Sequence, residues 1–189
     1  MSNPQIQQSV IQRIKNDKCG PTWRYIQHNQ AALAKLEKDI FERAIGSVTN
    51  PNRLCGTITY SELFRGLMVD VSVSGSGATT VFPQTEYWRD ADGPTAYGVM
   101  VEQFLRAISM CSVARWDFML SVCVVHAGPH GPRNVPDGEF FDLAKDLQVI
   151  PSNSSRTPFL VDEKKAVLQH FVNHGFTPAT SMLFPWSCP

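Results

Sequence analysis

The sequence carries no excess charge of either sign: 17 lysines and arginines stand against 17 aspartates and glutamates. A neutral chain sets up no long-range field for nucleic acid or anionic lipid, so contact with a polyanion must come from a local patch. No segment approaches the roughly 20 consecutive apolar residues that a membrane-spanning helix needs. The start, MSNPQIQQSVIQRIKNDK, has no basic stretch followed by an apolar run, so a standard secretion signal is not expected. The five cysteines, Cys19, Cys55, Cys111, Cys123 and Cys188, are odd in number and never form a C-x-x-C pair. That pattern argues against a disulfide framework and a zinc ribbon, and points to a reducing, cytoplasmic setting with no membrane. Motifs are missing as well. No G-x-S-x-G elbow, phosphate-cradling Gly-Lys-Ser loop, H-E-x-x-H or dinucleotide fingerprint occurs, and Ser74-Gly75-Ser76-Gly77 lacks the lysine a phosphate loop requires.

What is present is a chain of 189 residues, long enough to bury a core as a single domain spanning 1–189. Ile6, Val10 and Ile14 recur at four-residue spacing and predict a short one-sided helix. Ile26, Leu33, Leu36, Ile40, Phe41 and Ala44 predict a second helix over about 22–45, closed at Gly46, and the two make a helical N-terminal portion over 1–46. Thr59-Tyr60-Ser61-Glu62 reads as a capping box, with the threonine and glutamate three positions apart, opening a helix over about 60–67. The stretch 72–95 reads as a hairpin or loop around Gly-Ser-Gly. Val101, Phe104, Leu105, Ile108 and Cys111 mark a helix over about 95–111. Phe118 to Val125, F-M-L-S-V-C-V-V, is too apolar for a half-wet strand and predicts a central strand covered on both faces. The loop HAGPHGPRNVPDG is crowded with proline and glycine and predicts an irregular, exposed connection. Helices over about 139–147 and 161–174 follow, the second stopped by Gly175, and the apolar tail 176–189 is expected to pack on the body. These elements amount to an α+β chain, with the α+β body over 56–175.

Gly56-Thr57-Ile58-Thr59-Tyr60-Ser61-Glu62-Leu63, Leu120-Ser121-Val122-Cys123-Val124-Val125, and Pro136 with Phe140-Phe141-Asp142-Leu143-Ala144 together resemble an uncharacterised bacterial and phage domain family. Its members carry a T-Y-x-E-L helix start, an L-S-x-x-V-V strand and a P-x-x-x-F-F-x-L-A helix. Where that family has Gly-x-Gly, this chain has Asp137-Gly138-Glu139. The order of elements is also similar to the winged-helix domain of alkylguanine-DNA alkyltransferases and their relatives. The resemblance implies a small winged-helix-like body with a central buried strand, and nucleic acid as one class of partner. It implies no alkyl transfer, because Cys123 is followed by Val124 where those enzymes have histidine beside the reactive sulfur.

Histidines supply the remaining lead. His126 and His130 flank the exit of the apolar run, while His170 and His174 sit one helical turn apart and share a face. With a carboxylate such as Asp142 or Asp137, these four would hold a divalent metal. The competing reading is structural: His174 near a helix C-terminus is favoured by the macrodipole alone, and the loop spacing imposes no geometry. Polar residues at the end of a buried strand often form binding sites, which puts His126, His130, Arg133, Asp137 and His170 forward as a binding surface. The function expected is a non-catalytic recognition or accessory module of bacterial or phage type, binding protein or nucleic acid through the 72–95 and 126–138 loops. No cofactor is expected for that module. A metal-dependent hydrolase using the histidine cluster is the alternative.

Overall fold

In the computed structural model of this chain, the described residues are 4–16, 28–46, 54–70, 79–81, 89–90, 93–94, 96–128, 131–132, 135–150 and 155–177. The architecture is helix-rich α+β. Helix α1 (Pro4–Asn16) turns Val10 and Ile14 inward, as the four-residue spacing requires. Helix α2 (Gln30–Ile40) buries Leu33, Leu36 and Ile40, then widens into a π-helical turn over Phe41–Ile45. Gly46 follows with φ −63, so no left-handed turn uses its freedom there.

Strand β1 (Ile58–Thr59) feeds directly into helix α3 (Tyr60–Phe64). The expected capping box forms. Thr59 Oγ1 accepts the Glu62 N–H at 3.3 Å, and Glu62 Oε2 accepts the Thr59 N–H at 2.9 Å. Strand β2 (Met68–Asp70), just before the stretch read as a hairpin or loop, pairs antiparallel with β3 (Thr79–Val81) inside it. A second short pair, β4 (Arg89–Asp90) with β5 (Gly93–Pro94), leads to the longest helix.

That helix, α4 (Ala96–Trp116), runs five residues beyond the predicted end at Cys111. Buried side chains, among them Met100, Phe104, Ile108, Met110 and Val113, surround much of its circumference. A helix apolar nearly all round belongs in the middle of a fold, and α1 packs along it.

The stretch from Phe118 to Val125 lies in the interior as its composition demands, but most of it is not a strand. Leu120–Cys123 is a 3-10 turn, and only Val124–Val125 is extended, as β6. Backbone hydrogen bonding explains the correction. The Leu120 N–H is taken by Ser112 Oγ at 3.0 Å and the Met119 N–H by a Glu163 carboxylate oxygen at 2.8 Å. Side chains from two helices thus replace the neighbouring strands a buried extended segment would need. Among the described residues its strand neighbour is β1, in parallel, with Ile58 opposite Val124.

After β6, Ala127–Gly128 (β7) pairs antiparallel with Gly131–Pro132 (β8), so the loop expected to be irregular contains a small hairpin. Helix α5 (Gly138–Asp146) is capped by Asp137, whose side chain accepts the Phe140 N–H. Helix α6 (Arg156–His174) starts five residues earlier than the pattern from Val161 indicates, and stops at Gly175, φ +67, the left-handed conformation glycine tolerates. Of the tail, Phe176 stacks on Phe41 with ring centroids 5.1 Å apart, and residues 178–189 lie outside the described residues. No helix among the described residues is long and apolar enough to cross a membrane.

Candidate binding cavity

Helix α3 begins at Tyr60, immediately after β1, and helix α5 begins immediately after Asp137. The parallel pairing of β1 with β6 sets Thr59 opposite Val125, which brings Tyr60 level with His126. Their rings lie 4.5 Å apart between centroids. The Tyr60 hydroxyl donates to Asp137 Oδ2 at 2.7 Å, and His126 Nε2 lies 3.5 Å from the same oxygen. One carboxylate therefore joins a buried tyrosine, a loop histidine and the first turn of a helix.

Electrostatics keep that carboxylate ionised. Burial raises the Asp137 carboxyl, but the contacts from His126 and Tyr60 and the Phe140 amide outweigh it and hold it below the usual carboxylate range.

The cluster stands in the wall of a cavity of about 810 Å³. Helix α4 contributes Val101, Glu102, Leu105, Arg106 and Ser109 to the lining; α5 and the segment before it contribute Val135 to Phe140 with Asp142 and Leu143. Ser121, from the 3-10 turn, lies in the lining beside Ser109 with the two hydroxyl oxygens 2.5 Å apart. The volume falls within the range of small-molecule and side-chain pockets, and the lining mixes apolar walls with a few convergent polar groups.

The residues expected to form a binding surface divide. His126 and Asp137 meet in the cavity wall. His130 and Arg133 lie outside the described residues. His170 is set among aromatic rings, 5.1 Å from Trp116 and 5.3 Å from Phe118, and does not line the cavity. Burial, followed by the neighbouring His174 and Arg115, holds His170 below the ordinary imidazole value. The His174 ring lies tilted against His170 with centroids 5.0 Å apart, on the shared face their helical spacing predicts. Among the described residues, no group of three or more His, Cys, Asp or Glu side chains is placed to hold a metal ion.

Sequence reasoning passed over Tyr60, Arg106, Ser109 and Ser121 as site residues. The signal for Tyr60 was available: the capping box fixes it at the start of α3, beside the strand that pairs with the residues before His126. The two serines carried no such signal, since their pairing depends on how the 3-10 turn meets α4.

No protein-family model matches this chain, and neither a curated protein nor a solved structure matches it.

Proposed function

We propose that this chain is a non-catalytic recognition module that accepts a group from a partner protein into the cavity between α4 and α5. The observation that carries this reading is the Tyr60–Asp137–His126 cluster held at the wall of an 810 Å³ cavity with apolar sides. Fixed polar groups in an apolar recess supply orientation, while the walls supply affinity. The clustering limits side-chain freedom before binding, so little ordering cost remains when a ligand enters.

The winged-helix likeness adds nucleic acid as a competing partner. Carboxylates in the lining disfavour a phosphate there, so protein is the partner argued for. Selection from a random peptide library tests the reading. Binders should lose affinity about tenfold or more when Leu105→Trp fills the cavity, a loss of at least about one buried contact's worth of energy. Binders indifferent to that substitution, in a protein with an unchanged circular dichroism spectrum, would sink it.

The second reading is metal-dependent hydrolysis, favoured by one observation: His126 Nε2 and Asp137 Oδ2 present two metal-ligating atoms side by side. Stoichiometric metal after purification without added ions would support it, and a metal-free preparation would count against it.

A further inference from the structure

The hydrogen-bond count in the cavity floor assigns its ligand a chemistry, an inference that rests on the recognition reading above. Ser109 Oγ donates its single proton to the Leu105 carbonyl at 2.7 Å. The 2.5 Å contact with Ser121 must then be made by the Ser121 proton, with Ser109 accepting. Ser121 is 95 % buried at 5 % exposure and lines the cavity with a spent proton and acceptor lone pairs still to offer. Asp137, also in the lining, takes one proton from Tyr60 and one from the Phe140 amide and faces His126 Nε2 at 3.5 Å, and an ionised carboxylate has about four acceptor sites, so capacity remains beyond these three partners.

Charge points the same way. Glu102, Asp137, Glu139 and Asp142 line the cavity with negative charge. Lys145 lies 3.4 Å from Asp142 and offsets part of it. The Arg106 guanidinium, also in the lining, reaches 3.7 Å towards Asp146, a residue outside the lining. Ser121 and Asp137, which accept without donating, set under carboxylates and between apolar walls, are the complement of a positively charged nitrogen on an apolar stem.

We propose that the cavity binds an ammonium or guanidinium group carried on an apolar stem, such as the side chain of a lysine or arginine presented by a partner protein. The hydrogens come from the ligand and the acceptors from Ser121 and Asp137, while Val101, Leu105 and Phe140 contact the stem.

The test is a protein-observed NMR titration of the full chain with four probes of one shape: benzamidine, benzylamine, benzyl alcohol and benzoate. Benzamidine and benzylamine should shift the methyl resonances of Val101, Leu105 and Val135 and bind about tenfold or more tighter than the alcohol and benzoate, the ratio a charge-assisted hydrogen bond supports. Asp137→Asn should weaken the cationic probes by a similar factor. Because Asp137 also caps α5, Glu102→Gln, an exposed position, is measured beside it and should weaken the same two probes without altering the fold. Benzoate or the alcohol binding as tightly as benzamidine overturns the ligand assignment but leaves the recognition reading standing. No shift at the cavity with any probe overturns both. A lysine- or arginine-bearing peptide that outbinds its free amine places the group on a partner protein, whereas a free amine that binds more tightly keeps the ligand chemistry and removes the protein partner.

Discussion

Tyr60 and Asp137 are separated by 77 positions, yet the tyrosine hydroxyl donates to the aspartate at 2.7 Å and fastens the start of one helix to the cap of another. Tyr60→Phe removes this donor and keeps the ring. Chain stability in urea should fall by about 1–2 kcal/mol, the cost of leaving a part-buried acceptor short of one partner. The Asp137 carboxyl, followed by NMR, should titrate at a higher pH than in the native chain, because a contact that favours its charged form is gone.

Glu163 supplies a pH dependence of opposite character. Burial pushes its carboxyl up to about 7, against the favourable Met119 amide and with Asp117 and Asp162 raising it further. A folded value above the unfolded 4.5 means the native state holds this proton more tightly. The stabilisation is complete below about pH 4.5 and is lost as pH rises through about 7, a swing on the order of 3 kcal/mol. Glu163→Gln retains an acceptor for Met119 and should flatten the stability curve between those two pH values. A variant with the native slope would show that another group titrates there.

The interior position of 118–125 predicts that Val124→Asp, at a residue 1 % exposed in the native chain, destabilises by roughly 3 kcal/mol or more through a buried carboxylate with no partner. Denaturant unfolding measures this. Wild-type stability would mean the segment is solvated.

Cys123 and Cys55 lie with their sulfurs 3.2 Å apart and both buried. The hydrogen bond with Cys55 and burial push the Cys123 thiol well above its ordinary value, away from the reactive thiolate. Thiol labelling of the native protein should therefore spare Cys123 and Cys111 until denaturant is added. Rapid native labelling of Cys123 would restore it as a nucleophile.

Local signals in the sequence survived into the structure because they are enforced by neighbours a few residues away. The Thr59–Glu62 box, the Gly175 stop and the inward faces of α1 and α2 are of this kind. The burial of 118–125 was legible from composition, but its 3-10 conformation was not, since Ser112 and Glu163 reach it from helices 8 and 44 positions away in sequence. Asn29 shows the same limit: it is buried, accepts the Asp70 N–H at 2.7 Å and donates to the Asp70 carbonyl at 3.0 Å, binding the entry of α2 to β2. Two residues of the cavity wall were legible for a comparable reason. His126 and Asp137 leave and re-enter the fold close together, whereas the four-residue step from His170 to His174 gives their shared face without saying that aromatic rings would occupy it.

Intermolecular NOEs between the chain and a peptide selected for binding test the central claim most directly. The account predicts contacts from a lysine or arginine side chain of the peptide to the Tyr60 ring and to the methyl groups of Val101, Leu105 and Val135. Contacts confined to the rings around Trp116 and His170, with none at the cavity, would contradict it.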